Sequence, residues 1–248
     1  MKILLTNDDG FFAPGIKAMA KALIKENHEV IMVAPEFENS GKSHSITLTE
    51  KLNFNKVKIK GIDCPCYSVS GTPADSVRAA LHVFGHDYFD YCFSGVNLGY
   101  NAGMDILYSG TVSAAVEANV FGLNSIAVSA EYARDQTQFK AAAKIAIDVF
   151  NKLHDKTDRV EVLNINVPKL SYEEVKGIKV CRVGGSVMDQ YKAEETENGL
   201  ALSLTMRKPS SDIDKSDRLY LEKGYATVTP LIYDLNNMEE IEKLSKFF

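Results

Sequence analysis

The sequence predicts an α/β fold: a mostly parallel sheet flanked by helices, with a β-rich extension at the C-terminal end. Short apolar runs bounded by turn residues, such as Lys2-Ile3-Leu4-Leu5-Thr6 and Glu29-Val30-Ile31-Met32-Val33-Ala34-Pro35, read as strands buried on both faces. Stretches with apolar residues at helical spacing separate them, which is the alternation of βαβ units. That alternation ends near residue 176, and short extended pieces take over from residue 177. The expected division is a core over residues 1–176 and a hairpin-bearing extension over 177–248, with one strand returning to the core.

A chain of 248 residues fits one large α/β domain, or one domain with a modest extension. Its net charge of −5 and its lack of a basic block argue against a surface that coats nucleic acid, so a small substrate is expected in place of a polymer. No apolar run approaches the roughly 20 residues needed to cross a bilayer, and no charged and apolar leader precedes the first strand. A cytoplasmic location and no membrane partner are therefore expected. The four cysteines, Cys64, Cys66, Cys92 and Cys181, lack zinc-type spacing, and Cys64-Pro65-Cys66 is too close for the usual CxxC redox unit. They read as reduced structural thiols.

The first strand ends in Asn7-Asp8-Asp9-Gly10. Asn, Asp and Gly are ordinary turn residues, so a solvated turn is one reading. At the carboxyl end of a buried parallel strand, however, open α/β sheets bind ligands. Two adjacent carboxylates there require a cation or strongly raised pKa values. A hard divalent metal with oxygen ligands is the natural occupant.

Pro14 opens a helix over about residues 15–26, with Ile16, Met19, Ala20, Leu23 and Ile24 as its buried stripe. The second strand completes a βαβ unit, and no G-x-G-x-x-G follows the first strand, which disfavours a dinucleotide cofactor. The loop Glu36-Phe37-Glu38-Asn39-Ser40-Gly41-Lys42-Ser43-His44-Ser45 leaves the same rim as Asp8 and Asp9. Ser45-Ile46-Thr47-Leu48-Thr49 and Cys66-Tyr67-Ser68-Val69 look extended. Gly71-Thr72-Pro73-Ala74-Asp75 is a helix start, with Thr72 as N-cap, Pro73 first in the helix and Asp75 as the acidic residue of a capping box.

The next strand is Phe89-Asp90-Tyr91-Cys92-Phe93-Ser94-Gly95, followed by a glycine-rich loop over residues 96–105. Asn97 and Asn101 in that loop carry amide oxygens suited to a hard metal. Ser109-Gly110-Thr111 then opens a helix whose free N–H groups and dipole form a ready phosphate site, with N-capping by Ser109 as the alternative. A strand at residues 125–129, an amphipathic helix over 136–153 and a strand over 160–168 close the sheet. Beyond it lie extended pieces at 178–182 and 200–206, separated by polar residues 194–199 and read as a hairpin. A charged turn with a short helix over 212–223 and a strand over 225–231 follow. Exposed strand edges seek partners, so this tail is a plausible exchange or dimer element.

Two carboxylates, a serine loop, an asparagine loop and a helix N-terminus thus project from one rim. That set suits phosphoryl-ester hydrolysis assisted by Mg²⁺ or Mn²⁺, which prefer oxygen-rich ligands. An acid-pair glycosidase fits poorly, because its carboxyls stand on separate elements. A haloacid-dehalogenase-type phosphatase would need Asp-x-Asp where this chain has Asn-Asp-Asp. A non-catalytic nucleotide or phosphate sensor is the rival from another class.

Seven segments in register carry a family resemblance: Asn7-Asp8-Asp9-Gly10 with Ala13-Pro14-Gly15-Ile16; Ala34-Pro35 with Asn39-Ser40-Gly41; Gly71-Thr72-Pro73-Ala74-Asp75; Ser94-Gly95-Val96-Asn97-Leu98-Gly99-Tyr100-Asn101; Tyr108-Ser109-Gly110-Thr111-Val112; Asn164-Ile165-Asn166-Val167-Pro168; and Gly224-Tyr225 through Thr229-Pro230-Leu231. Together they resemble the SurE family of survival-protein 5'-nucleotidases. The resemblance implies a Rossmann-like core and a metal-dependent phosphatase hydrolysing nucleoside 5'-monophosphates to nucleoside and phosphate. 3'-Nucleotides and short polyphosphate are further candidate substrates. It also implies one divalent ion per subunit, and a homodimer or homotetramer that exchanges its C-terminal segment. Asp8, Asp9, Ser40 and Asn97 match the metal ligands, and Asp8 and Asp9 the catalytic pair, with Asp9 expected to orient the attacking water. Ser109, Gly110 and Thr111 match the phosphate-side segment, joined on the substrate side by Ser40, Gly41 and Asn97. Lys42-Ser43-His44-Ser45 varies within that family, so Lys42 and His44 receive no role.

Overall fold

The structure is a computed structural model that describes residues 1–135, 138–156, 162–185, 188–206 and 214–248. Strand β1 (Lys2–Thr6) leads through helix α1 (Pro14–Lys25) to β2 (Glu29–Pro35), and β3 (Phe54–Val57) and β4 (Cys66–Val69) follow. Helix α2 (Pro73–Phe84) precedes β5 (Tyr91–Leu98), a 3₁₀ turn (Gly103–Tyr108), α3 (Gly110–Val120), β6 (Ser125–Ala130), α4 (Gln138–Leu153) and β7 (Val162–Val167). The remaining elements are β8 (Ile178–Val180), β9 (Met188–Thr196), β10 (Gly199–Met206), α5 (Asp217–Glu222), β11 (Ala226–Leu231) and α6 (Met238–Leu244).

The main sheet has nine strands in the order β3-β4-β2-β1-β5-β6-β7-β11-β8. Its central strands run parallel, while β3 on β4 and β11 on β7 are antiparallel. The chain adds strands outward on one side of β1 and then crosses to β5 on the other. The crevice at the carboxyl ends of β1 and β5 is therefore the topological switch point.

Alternation along β1 sends Ile3 and Leu5 into the layer under α1 and α4, and Leu4 into the layer under α2 and α3. Ile16, Met19 and Leu23 of α1 interlock there with Phe139, Ala142 and Phe150 of α4. Close approach of α1 to the sheet requires Gly15, because a Cβ there would lie 1.9 Å from the Val96 carbonyl oxygen. The capping box at α2 forms as expected: Thr72 Oγ1 accepts the Asp75 N–H, and Asp75 accepts the Thr72 N–H at 2.9 Å. The same carboxylate accepts the Thr47 N–H and its hydroxyl at 2.7 Å, which pins the loop after β2 to this helix.

Several expectations are corrected. Residues 45–49 form no strand, since Thr47 spends its donors on Asp75, and the antiparallel partner of β4 is β3. Strand β5 runs on to Leu98, through residues assigned to a loop, because Asn97 and Leu98 pair with Ser129 and Ala130. Residues 103–108 form a 3₁₀ turn. The hairpin is β9 with β10, joined at Thr196 and Gly199, so the polar residues 194–196 are themselves strand. Strand β8 instead lies parallel to β11, and these two extend the sheet beyond β7. The start of the helix at 136–137, residues 160–161 of the last core strand and residues 212–213 of the charged turn lie outside the described residues.

Helix α5 ties the extension to the rim. Asp217 accepts the N–H groups of Gly103 and Gly184 at 2.8 and 2.9 Å, and Arg218 donates to the Ala102 carbonyl and, at 2.6 Å, to Asp105. Asp75→Ala is expected to cost about 2 kcal/mol by loss of the cap and of the Thr47 bonds, read as a lower urea midpoint with an unchanged slope.

Candidate active site

Asp8 and Asp9 stand at the switch point, where β1 ends. Asp8 is buried, and its Oδ1 accepts the Thr111 hydroxyl. Helix α3 therefore begins directly against it: a Cβ on Gly110 would lie 2.8 Å from the Asp8 Cβ, so only glycine allows that contact. Asp9 is half-buried and accepts the Leu98 N–H through Oδ2 at 3.3 Å, which places the end of β5 beside it. The loop after β2 closes a third side, since the Asn39 N–H donates to the Asp8 carbonyl at 2.7 Å.

Glu38 adds a third carboxylate whose charge bears on both aspartates. Burial raises Asp8 above the usual carboxylate range. Burial, with the Asp8 charge next, raises Asp9 to about 7. The cluster therefore lacks positive charge. Ser40 lies beside Glu38, to which its hydroxyl donates at 2.8 Å, and Gly41 turns the loop with φ 72°. Asn97 donates through Nδ2 to the Gly99 carbonyl at 2.9 Å, which turns Oδ1 the other way. Asn7 Oδ1, next to Asp8, is buried without a partner.

Among the described residues no group of three or more His, Cys, Asp and Glu side chains is arranged to hold a metal. A cation here would draw on the Ser40 hydroxyl and the Asn97 amide oxygen beside Asp8 and Asp9. The donors are all hard oxygens around mutually repelling carboxylates, and this fits a divalent ion of the Mg²⁺ or Mn²⁺ type.

The hydroxyls at the start of α3 are already committed. Ser109 is the N-cap, accepting the Val112 N–H at 3.1 Å, and Thr111 donates to Asp8. With the Val112 N–H on Ser109 and the Thr111 N–H facing Asp8, what α3 would offer a phosphate is its dipole and the Gly110 N–H. Asn101 is held in place by its neighbours: its amide nitrogen donates to Ser129 Oγ at 2.8 Å, while its backbone carbonyl accepts the amides of Asn164 and Asn166. Sequence reasoning missed Glu38 and Thr111 as partners of the acidic pair. Their signal is position alone, on the loop and helix that share its rim. His44, given no role, bonds Glu117 at 2.6 Å, and Glu117 also pairs with Arg78 at 2.9 Å.

A family profile described as Survival protein SurE matches residues 3–190. The chain belongs to the SurE family. A SurE relative from Clostridium botulinum (strain 657 / Type Ba4), named 5'-nucleotidase SurE, is 44% identical over 252 residues, covering 100% of this chain and 99% of its own. One of the same name from Clostridium beijerinckii is 41% identical over 253 residues with the same coverage. The fold matches a crystal structure of the SurE protein from Aquifex aeolicus with a TM-score of 0.87 at 36% identity, over 100% of this chain and 99% of that one.

The raised Asp9 pKa has a sign. The folded form keeps its proton up to about 7, whereas the unfolded chain loses it near the ordinary aspartate value of 3.8, so stability without a cation falls as pH rises between those values and levels off above. Asp9→Asn removes that penalty while keeping an acceptor for Leu98. In chelator-treated protein the variant is expected to melt on the order of 5 °C above wild type at pH 8, with the gap closing towards pH 4 in thermal scans.

Proposed function

We propose that this chain is a divalent-cation-dependent 5'-nucleotidase that hydrolyses nucleoside 5'-monophosphates to nucleoside and phosphate. The observation that carries this reading is the Asp8–Asp9 pair, buried at Asp8 and half-buried at Asp9, set against the start of α3, a place for a cation beside a place for a phosphoryl group. Full-length relatives named 5'-nucleotidase SurE support the substrate class. Asp8, Asp9, Ser40 and Asn97 are the proposed cation ligands, with one ion per subunit, Mg²⁺ or Mn²⁺. Such an ion supplies charge neutralisation at the phosphoryl oxygens and a more acidic bound water.

The chain's own groups do the rest. The dipole of α3 and the N–H of Gly110, the residue that lets the helix approach, hold the phosphoryl oxygens. Thr111, by donating to Asp8, fixes that carboxylate's rotamer and opposes the rise in pKa that burial causes. Asp9, steadied by the Leu98 N–H, orients the attacking water in line with the departing 5'-oxygen. Ser40, Gly41 and Asn97 line the substrate side. 3'-Nucleotides and short polyphosphate present the same terminal phosphoryl group and are candidate secondary substrates.

The reading includes a cytoplasmic homodimer or homotetramer, with residues 177–248 as the oligomerising and exchanged part. It is supported by apolar side chains left exposed on β10, Leu200, Leu202 and Leu204, and by α6, which buries none of its residues. No helix among the described residues is long and apolar enough to cross a membrane.

Phosphate release from nucleoside 5'- and 3'-monophosphates, with Mg²⁺, Mn²⁺ or chelator, is the test. Cation-dependent release favouring 5'-nucleotides is expected, and Asp9→Asn should lower kcat by about 100-fold or more. Nucleotide binding without release under any cation would point instead to a sensor. Deleting residues 232–248, which spares β8 and β11, should lower the solution mass in light scattering; an unchanged mass would remove that segment from the assembly.

A further inference from the structure

Cys64 and Cys66 do not behave as separate buried hydrophobes. Their sulfurs lie 3.9 Å apart in a thiol–thiol hydrogen bond, and Cys66 Sγ also donates to the Cys64 carbonyl at 3.3 Å. Both are free thiols. An open cavity of about 480 Å³ is walled by this pair together with Asp63, Lys56 and Lys58. The pair sits at the amino end of β4, where Cys66 pairs with Met32 of β2, whereas the acidic turn lies at the carboxyl end of the sheet. It is a second chemical locus, independent of the nucleotidase reading.

We propose that Cys64 and Cys66 form a vicinal dithiol that is reversibly oxidised to an intrachain disulfide by small-molecule disulfides entering this cavity. The hydrogen bond from Cys64 lowers the pKa of Cys66 and raises that of Cys64, so Cys66 is the attacking thiolate. It attacks one sulfur of the incoming disulfide, forming a mixed disulfide at Cys66 and releasing one thiolate. Cys64 then loses its proton and attacks the Cys66 sulfur, forming the Cys64–Cys66 bond and expelling the second thiolate. Two protein thiols and one small disulfide become one protein disulfide and two small thiols. The remaining cysteines are unsuited to this chemistry: burial raises both, Cys181 to about 11.

The test is incubation of the full-length protein with oxidised glutathione at pH 7.5, acid quenching, and mass analysis of the tryptic peptide spanning residues 61–78, which holds both thiols and no other cysteine. The expected product is that peptide two hydrogens lighter, returned to its starting mass by reduced glutathione. Cys64→Ser should instead stop at a stable glutathione adduct on Cys66. In a second measurement on unmutated protein, phenylarsine oxide, which bridges neighbouring thiols, should bind once per chain and block the oxidation. A wild-type peptide that keeps two free thiols, or that retains glutathione without closing the ring, overturns the proposal. Either result leaves phosphate release untouched as evidence for the nucleotidase reading.

Discussion

Repulsion between Asp8 and Asp9 is the constraint around which this fold is arranged. Two adjacent carboxylates at the end of a buried strand, with Glu38 nearby, form a cluster that burial alone would neutralise by protonation. The surrounding chain answers with donors. Thr111 at the start of α3 bonds Asp8, the Leu98 N–H bonds Asp9, and the Asn39 N–H bonds the Asp8 carbonyl. Each donor comes from a different segment, so the start of α3, the end of β5 and the loop after β2 are all held against this turn, two by its carboxylates and one by its backbone. The repulsion that remains between these carboxylates is what an oxygen-coordinated cation would relieve.

The core was legible in the sequence because it is periodic. The runs at β1 and β2 are too short for helices, and the stripes of α1 and α4 carry the helical repeat, so the succession of core elements up to β7, apart from β3, needed little tertiary information. The start of α2 was legible for a different reason. Thr72-Pro73 with Asp75 is a local arrangement whose bonds form within four residues. Asp8, Asp9, Asn97 and Ser109 were picked out by residue type at the ends of elements that topology sends to one rim, and Ser40 by the family resemblance.

What the sequence concealed is what depends on distant partners. Residues 45–49 alternate like a strand, yet Asp75, 28 positions from Thr47, takes the donors that a strand would need. Asn101 looks like Asn97 on paper, but it is tied by its amide nitrogen and backbone carbonyl to Ser129, Asn164 and Asn166, which no local pattern announces. The hairpin was assigned to the wrong first strand because its charged residues, Glu194 and Glu195, resemble a turn when no burial separates the two faces. Cys64 and Cys66 are free thiols as expected, but their contact depends on how the chain bends into β4, which the spacing does not show.

The bonds from α5 to the loop after β5 carry one more consequence. Asp217 and Arg218 hold Gly103, Ala102 and Asp105, and that loop lies between Asn97 and the start of α3. A Cβ on Gly103 would also collide with the Gly185 carbonyl, at 2.0 Å. The C-terminal third is thus not an interchangeable module. A chimera that joined this core to the tail of a relative would inherit the rim geometry only if the residues at 102, 103 and 105 travelled with those at 184, 185, 217 and 218, and evolutionary change on the two sides is bound to proceed in step.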